Sequence, residues 1–299
     1  MRSRSLPRAR RCWLLSLCLV SHCAHLSPRE QADRAATADH SQPVATLPNV
    51  ERAEPVARRS STSKCVLSLD RLLALHGLPL TDQPNACIAM SVPEASTLLS
   101  LLLRPNTRTY LEWGSGGSTE LVSHLILAGL LPHGFHAYSV ESSLSWIDYM
   151  RERSDLIRQA VAKGSLTFLH GSLGKTGHLG YPEQFTPGDD ARVLSYVALS
   201  EKIRRRKLDL VLVDGRFRLA CALEARKHLN VDEGGLLMLH DYILKPPGLP
   251  RARFNMYSKA LGFYHLVQRN ESLAVFSSRR HFSQPALDSL FQDALKYPD

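Results

Sequence analysis

From about residue 92 onward the chain alternates short apolar runs with segments of helical spacing, and few folds accommodate that alternation. The runs are TYLEW (109–113), HAYSV (136–140), LTFLH (166–170), DLVLV (209–213) and GLLMLH (235–240). Between the first two, STELVSHLILAGLL (118–131) places Val122, Leu125, Ile126 and Leu130 on one stripe, and Pro132 and Gly134 stop it. VPEASTLLSLLLR (92–104) reads as a helix ending before Pro105, and LSWIDYMRERSDLIRQAVAKG (144–164) as one long helix. RFRLACALEARKHLN (216–230) reads as a helix with basic residues in its last turn, opposite the negative end of its dipole. Strands alternating with helices build a mostly parallel sheet in an open, Rossmann-like α/β fold with helices on both faces. DLVLV is apolar almost throughout, as a strand buried on both sides must be. YHLVQ and LAVFS, joined by RNES, read as an antiparallel hairpin that adds an edge to that sheet.

The net charge of +9 invites a nucleic-acid reading, but its distribution opposes one. Residues 1–64 hold eleven Lys/Arg against five Asp/Glu, so the surplus lies mostly in the N-terminal tail and the body is near neutral. No nucleic-acid partner is expected. MRSRSLPRARR is basic, CWLLSLCLV is apolar, and no acidic residue precedes Glu30, which is the order of a secretory signal over residues 1–26. The apolar run is shorter than the ~20 residues a spanning helix needs. No clean small-x-small cleavage site follows it, so an uncleaved anchor, the one membrane contact expected, stays open. An Arg-rich mitochondrial or plastid transit peptide is the alternative. Residues 27–64 have few large apolar side chains and no periodicity, and read as a stem or linker before a folded domain at 65–299.

Six cysteines divide into Cys12, Cys18 and Cys23 in the leader and Cys65, Cys87 and Cys221 in the body, with no metal-type spacing. In an oxidising lumen Cys65 and Cys87 form a candidate disulfide, against two unpaired buried thiols as the alternative. Cys221 reads as core.

The segment EWGSGGST (112–119) follows the first strand of the alternating pattern and opens a helix. In open α/β sheets ligands bind beyond the carboxyl ends of the strands, so this turn is in the right place. Gly114 and Gly116 allow a sharp turn and close approach of a ligand, and Ser118 or Thr119 is placed to cap the helix. The third glycine of G-x-G-x-x-G is missing, which weakens a dinucleotide reading. Glu141 ends the second strand of the pattern, where a carboxylate accepts hydrogen bonds from both hydroxyls of a ribose. Glu112, two residues before Gly114, is awkward beside a pyrophosphate but suits a ligand with an amino group and no phosphate. S-adenosylmethionine is such a ligand. GSLGKT (171–176) looks like a phosphate loop, yet the spacing would need glycine at Leu169.

YLEWGSGGST, YSVESSLSW, DLVLVDGRFR and LLMLHDY, in this order, resemble the class I S-adenosylmethionine-dependent methyltransferases. The likeness covers roughly residues 90–280 and is closest to a branch with a W-G-x-G-G-S-T loop. It implies about seven strands with the last antiparallel. It also implies that Glu112, Gly114 and Gly116 line the methionine part of the cofactor, with Ser115, Ser118 and Thr119 in the same loop. Glu141 would hold the ribose, and the His170–Gly171–Ser172 region would lie near adenine.

Asp214 follows the fourth strand of the pattern, and His240 and Asp241 follow the fifth, so in such a fold those three positions converge at one edge. Methyl transfer to oxygen needs the acceptor hydroxyl to lose its proton, and a histidine suits a general base. Alternatively, Asp214 and Asp241 hold a hard divalent cation that lowers the hydroxyl's pKa. Structural roles compete: Asp214 bonding the next helix, His240 satisfied in the core. Arg216 and Arg218, with Lys245, Arg251 and Arg253 further on, are candidate anchors for an acidic acceptor, a small molecule or glycan, and Tyr242 is a further candidate contact with the acceptor. The section 172–206, including Tyr181, Pro182 and Phe185, is long enough for a substrate lid, and EKIRRRK (201–207) reads as an exposed helix face. Two rivals stay open: a dinucleotide-dependent oxidoreductase, and a non-catalytic binding module on the same fold. Nothing in the sequence speaks to oligomeric state.

Overall fold

The body opens with a short ribbon, β1 (Leu67–Ser68) and β2 (Cys87–Ile88), which flank helix α1 (Leu69–Leu75), and continues into α2 (Val92–Leu102). This computed structural model describes residues 65–81, 83, 85–186, 188–198, 203, 205–242, 259 and 262–298. The leader, the stem, Cys12, Cys18, Cys23, Lys245, Arg251, Arg253 and part of the 201–207 run lie outside the described residues. A disulfide joins Cys65 to Cys87, with their Cα atoms 5.6 Å apart, and closes the ribbon. Cys221 is buried and free of a disulfide, as expected. Among the described residues no helix is long and apolar enough to cross a membrane.

The main sheet then follows the alternation. Its strands are β3 (Thr109–Trp113), β4 (His136–Glu141), β5 (Leu166–His170), β6 (Leu210–Val213), β7 (Leu236–Leu239), β8 (Tyr264–Asn270) and β9 (Leu273–Ser278). Their order is β5-β4-β3-β6-β7-β9-β8, parallel from β5 to β7 and antiparallel across β9 and β8. The central pair is β3 and β6, where Leu111 meets Val211 and Trp113 meets Val213. The strand order reverses beside β3, so the carboxyl ends of β3, β4 and β6 open on one crevice.

Period-two alternation divides the core. Leu111, Trp113, Val211, Val213, Leu237 and Leu239 point into one apolar cluster, and Tyr110, Leu210, Leu212 and Met238 into the other. Helix α3 (Gly117–Leu127) covers the second cluster, together with α1, α2 and the pair α4 (Leu144–Arg153) and α5 (Asp155–Ala162). Helices α6 (Asp190–Val197), α7 (Arg218–Arg226) and α8 (Gln284–Ala294) cover the first.

Three elements differ from the sequence reading. The single helix expected over 144–164 breaks at Ser154, which takes an extended conformation (φ −114°, ψ 113°) and lets α5 start at Asp155. The helix expected from Arg216 starts at Arg218, because Phe217 stands in the left-handed region at φ 52°. Helix α6 occupies part of the section read as a long loop, burying Val193, Tyr196 and Val197 in the core.

Candidate functional site

The glycine turn is shaped by what it touches. Gly114 has φ +94°, and a Cβ there would come within 3.0 Å of the Asp214–Gly215 backbone. Conformation and space both require glycine, and the result is a loop pressed against the end of β6. Gly117 is equally tight on the other side, where a Cβ would sit 2.1 Å from the Cys87 carbonyl oxygen. Gly116 differs: nothing lies within 4 Å of its Cβ position, so the loop opens outward there.

Gly116 is also the N-cap of α3, so Ser118 and Thr119 lie inside the first turn rather than at the cap expected for them. Thr119 Oγ1 accepts from the Gly116 N–H at 2.9 Å and donates to Glu112. Glu112 is almost fully buried beneath the loop. It also accepts from Tyr110 Oη at 3.0 Å, Ser118 Oγ at 2.7 Å and Ser139 Oγ at 2.8 Å. Burial pushes its carboxyl above the ordinary range, against the pull of those hydroxyls. The structure therefore places Glu112 as a strut under the turn, with the Ser118 and Thr119 hydroxyls spent on it, and not on the open face.

Glu141 is the carboxylate beside the open face. It ends β4 and accepts from Ser115 N at 3.2 Å, Ser115 Oγ at 2.8 Å, Ser142 N at 2.7 Å and Ser143 N at 3.1 Å. The Trp146 indole N–H donates to the Ser115 carbonyl at 3.1 Å and braces the same loop. Gly171 N donates to the Glu141 carbonyl at 3.0 Å, which brings the His170–Ser172 turn alongside, with Ser172 exposed.

The segment expected as a lid folds back on itself through a Lys175–Glu183 ion pair and a 2.7 Å bond from Gly177 N to the Tyr181 carbonyl. Its tip passes beside Ser142, since a Cβ on Gly180 would lie 3.6 Å from Ser142 Oγ. Its Tyr181 ring stacks 4.0 Å from the Arg216 guanidinium, so the segment reaches from the end of β4 to the end of β6.

At that far edge His240 Nδ1 lies 2.8 Å from Asp214 Oδ1, and His240 Nε2 lies 3.7 Å from Glu94 Oε2. Burial disfavours a charged imidazole, but the bond to Asp214 and the charges of Asp214, Asp241 and Glu94 outweigh it and raise the pKa to about 9. Asp241 sits at φ 54°, a left-handed conformation that is uncommon outside glycine and, as at Phe217, adjoins the site.

Asp214, His240 and Asp241 each offer a ligand atom, all within 4.8 Å of one another. The donors are already engaged. Arg218 Nη2 lies 2.9 Å from Asp241 Oδ2 and 3.8 Å from Asp214 Oδ1, so a guanidinium already pairs with both carboxylates that would bind a divalent ion. As arranged, the residues do not fit the metal.

Arg216 and Arg218, expected to meet an acidic acceptor, are both buried. Stacking under Tyr181 and pairing with Asp241 account for their placement. Tyr242, expected among the acceptor contacts, is also buried. Its ring packs edge-on against Phe276 at 5.4 Å, within the apolar cluster that covers β9.

Glu94 is the site neighbour that sequence reasoning missed. Ser91 and Glu94 form a capping box at the start of α2, a pattern legible in SVPE. What the pattern does not reveal is that Glu94 also reaches Ser272 and His240.

No protein-family model matches the chain, and no curated protein sequence matches it. Solved structures do. A methyltransferase-like protein from Silicibacter pomeroyi is 24% identical over 71% of this chain and 97% of its own, with a TM-score of 0.51. An O-methyltransferase from Bacillus cereus in complex with SAH is 14% identical over 71% of this chain and 98% of its own, with a TM-score of 0.43. The likeness is one of fold: this chain shares the α/β fold of that methyltransferase-like protein.

Proposed function

We propose that the protein is an S-adenosylmethionine-dependent methyltransferase acting on a hydroxyl oxygen of a small-molecule or glycan acceptor. The observation that carries this is Glu141 at the end of β4, beside a glycine turn whose Gly116 face is open. A carboxylate there suits a ribose, and a glycine with open space at its Cβ position beside it suits a ligand that must approach closely. Bound at this turn, the sulfonium cofactor supplies a methyl group: the acceptor oxygen forms the new C–O bond, sulfur keeps the C–S electron pair, and the hydroxyl proton departs.

The chain's own residues do the rest. Glu141 exchanges the Ser115 hydroxyl for those of the ribose. Glu112 and its hydroxyls hold the turn rigid from below. Asp214, the partly exposed member of its pair with His240, meets the acceptor proton, and the imidazole fixes the carboxylate in place. The segment at 175–183 shields the reacting atoms from water, with Tyr181 as its wall. A secretory location belongs to the same proposal, supported by the order of the leader and by the Cys65–Cys87 disulfide.

Titration calorimetry of the full chain with S-adenosylhomocysteine, and separately with NAD, tests the reading. Micromolar or tighter binding of the first alone is expected, weakened by about tenfold or more in Glu141→Ala through loss of charge-assisted bonds. Binding of NAD alone, or of neither ligand, overturns the proposal.

A further inference from the structure

The carboxylates at the acceptor edge face a cation that the chain itself supplies. Asp214 follows β6, Asp241 follows β7, and Arg218 opens α7 between them in sequence. The Arg218 side chain is held at two points. Its Nε donates to the Gly215 carbonyl at 3.1 Å, and its Nη2 donates to Asp241 Oδ2 at 2.9 Å while standing 3.8 Å from Asp214 Oδ1. Only 10% of that side chain is exposed, against 49% for Asp241, so the guanidinium lies behind the carboxylates rather than in the solvent.

The third donor is engaged as well. A carboxylate can only accept, so the 2.8 Å contact to Asp214 makes His240 Nδ1 the proton donor, and that nitrogen offers no lone pair. Its Nε2 faces Glu94. A divalent ion entering here would have to expel Arg218 and turn the imidazole away from both carboxylates.

We propose that Arg218 takes the place of a divalent cation at this edge, so that its guanidinium holds Asp214 and Asp241 together and the site works without a metal. The inference rests on reading this edge as the acceptor side. A guanidinium has no open coordination position, so it cannot bind and acidify a hydroxyl as a metal does. It supplies a fixed positive charge that holds two neighbouring carboxylates in place. Arg218 is thus a positioning residue.

Manganese titration of the full chain, followed by the electron paramagnetic resonance signal of the free ion, tests this with no acceptor present. Wild type is expected to take up no Mn²⁺ that Asp214→Asn abolishes. Arg218→Met and Arg218→Gln empty the position, and each is expected to gain one equivalent of bound Mn²⁺ that wild type lacks, lost again when Asp214→Asn is added. Arg218→Lys, which keeps a cation, is expected to behave as wild type. A wild-type site removed by Asp214→Asn overturns the inference. So does a folded Arg218→Met or Arg218→Gln that gains no site. S-adenosylhomocysteine binding, measured on the same samples, reports separately on the methyltransferase reading, so the two fail independently.

Discussion

His240 stands between two carboxylates, and that placement sets how the fold responds to alkali. Its folded pKa, about 9, lies above the ordinary 6.5, so the proton is held more tightly in the folded chain. The stabilisation is fully present below pH 6.5 and is lost as pH rises through about 9. A shift of that size corresponds to about 3 kcal/mol. Denaturant unfolding between pH 6 and 10 is expected to show this decline in wild type and a flatter profile in His240→Gln; equal slopes would contradict the ion pair. At the same scale the glycine turn shows what a sequence conveys and withholds. Glu112 and Glu141 are both legible as carboxylates flanking the turn. Which one lies beneath the turn depends on the hydroxyls of Tyr110, Ser118, Thr119 and Ser139 converging from two strands and a helix. Arg218 looks like a free substrate anchor in sequence, because nothing in RFR announces Asp241 as its partner.

Between elements, Glu94 ties the start of α2 to the turn that joins β8 and β9. It accepts from Ser272 N at 2.9 Å and Ser272 Oγ at 2.6 Å, while the Ser272 carbonyl accepts from Tyr242 N at 2.7 Å. One carboxylate therefore locates both the hairpin turn and the 240–242 segment. Burial alone would raise its pKa, but the bonds from Ser272 and Ser91 outweigh burial and hold it at about 2. Glu94→Ala is expected to lower unfolding free energy by about 3 kcal/mol, as removal of a buried hydrogen-bonded charge does. Hydrogen exchange should quicken at 240–242 and 270–273 while the 114–117 turn stays protected; uniform change across the sheet would refute the local tie. The strands and most helices were legible because their apolar periodicity is local. The break at Ser154 was less so, because the apolar pattern of 144–164 runs through it with no proline or glycine beside it. Helix α6 escaped because its apolar face is short and sits in a section rich in turn residues.

For the molecule as a whole, the Cys65–Cys87 clasp and the candidate cofactor turn are one mechanical unit. The ribbon it closes packs its Cys87 backbone against Gly117, and Pro79 inside the closed loop accepts from His124 of α3 at 2.8 Å. Reduction by a dithiol, or the pair Cys65→Ser and Cys87→Ser, is expected to cost about 3 kcal/mol of stability for a loop of this length. It should also weaken S-adenosylhomocysteine binding measurably, because α3 loses a wall at its first residue. Unchanged affinity after confirmed reduction would separate the clasp from the turn. The Gly114 contact with Asp214–Gly215 carries a different consequence, one of timing. The flanking strands β3 and β6 are already joined by bonds spanning about 100 residues of sequence, from Arg108 and Thr109 to Asp209. A chain emerging from the ribosome makes the turn early but cannot seat it until the end of β6 arrives. The ligand pocket is then a late product of synthesis, and nascent chains stopped short of residue 215 have the glycines without the surface that shapes them.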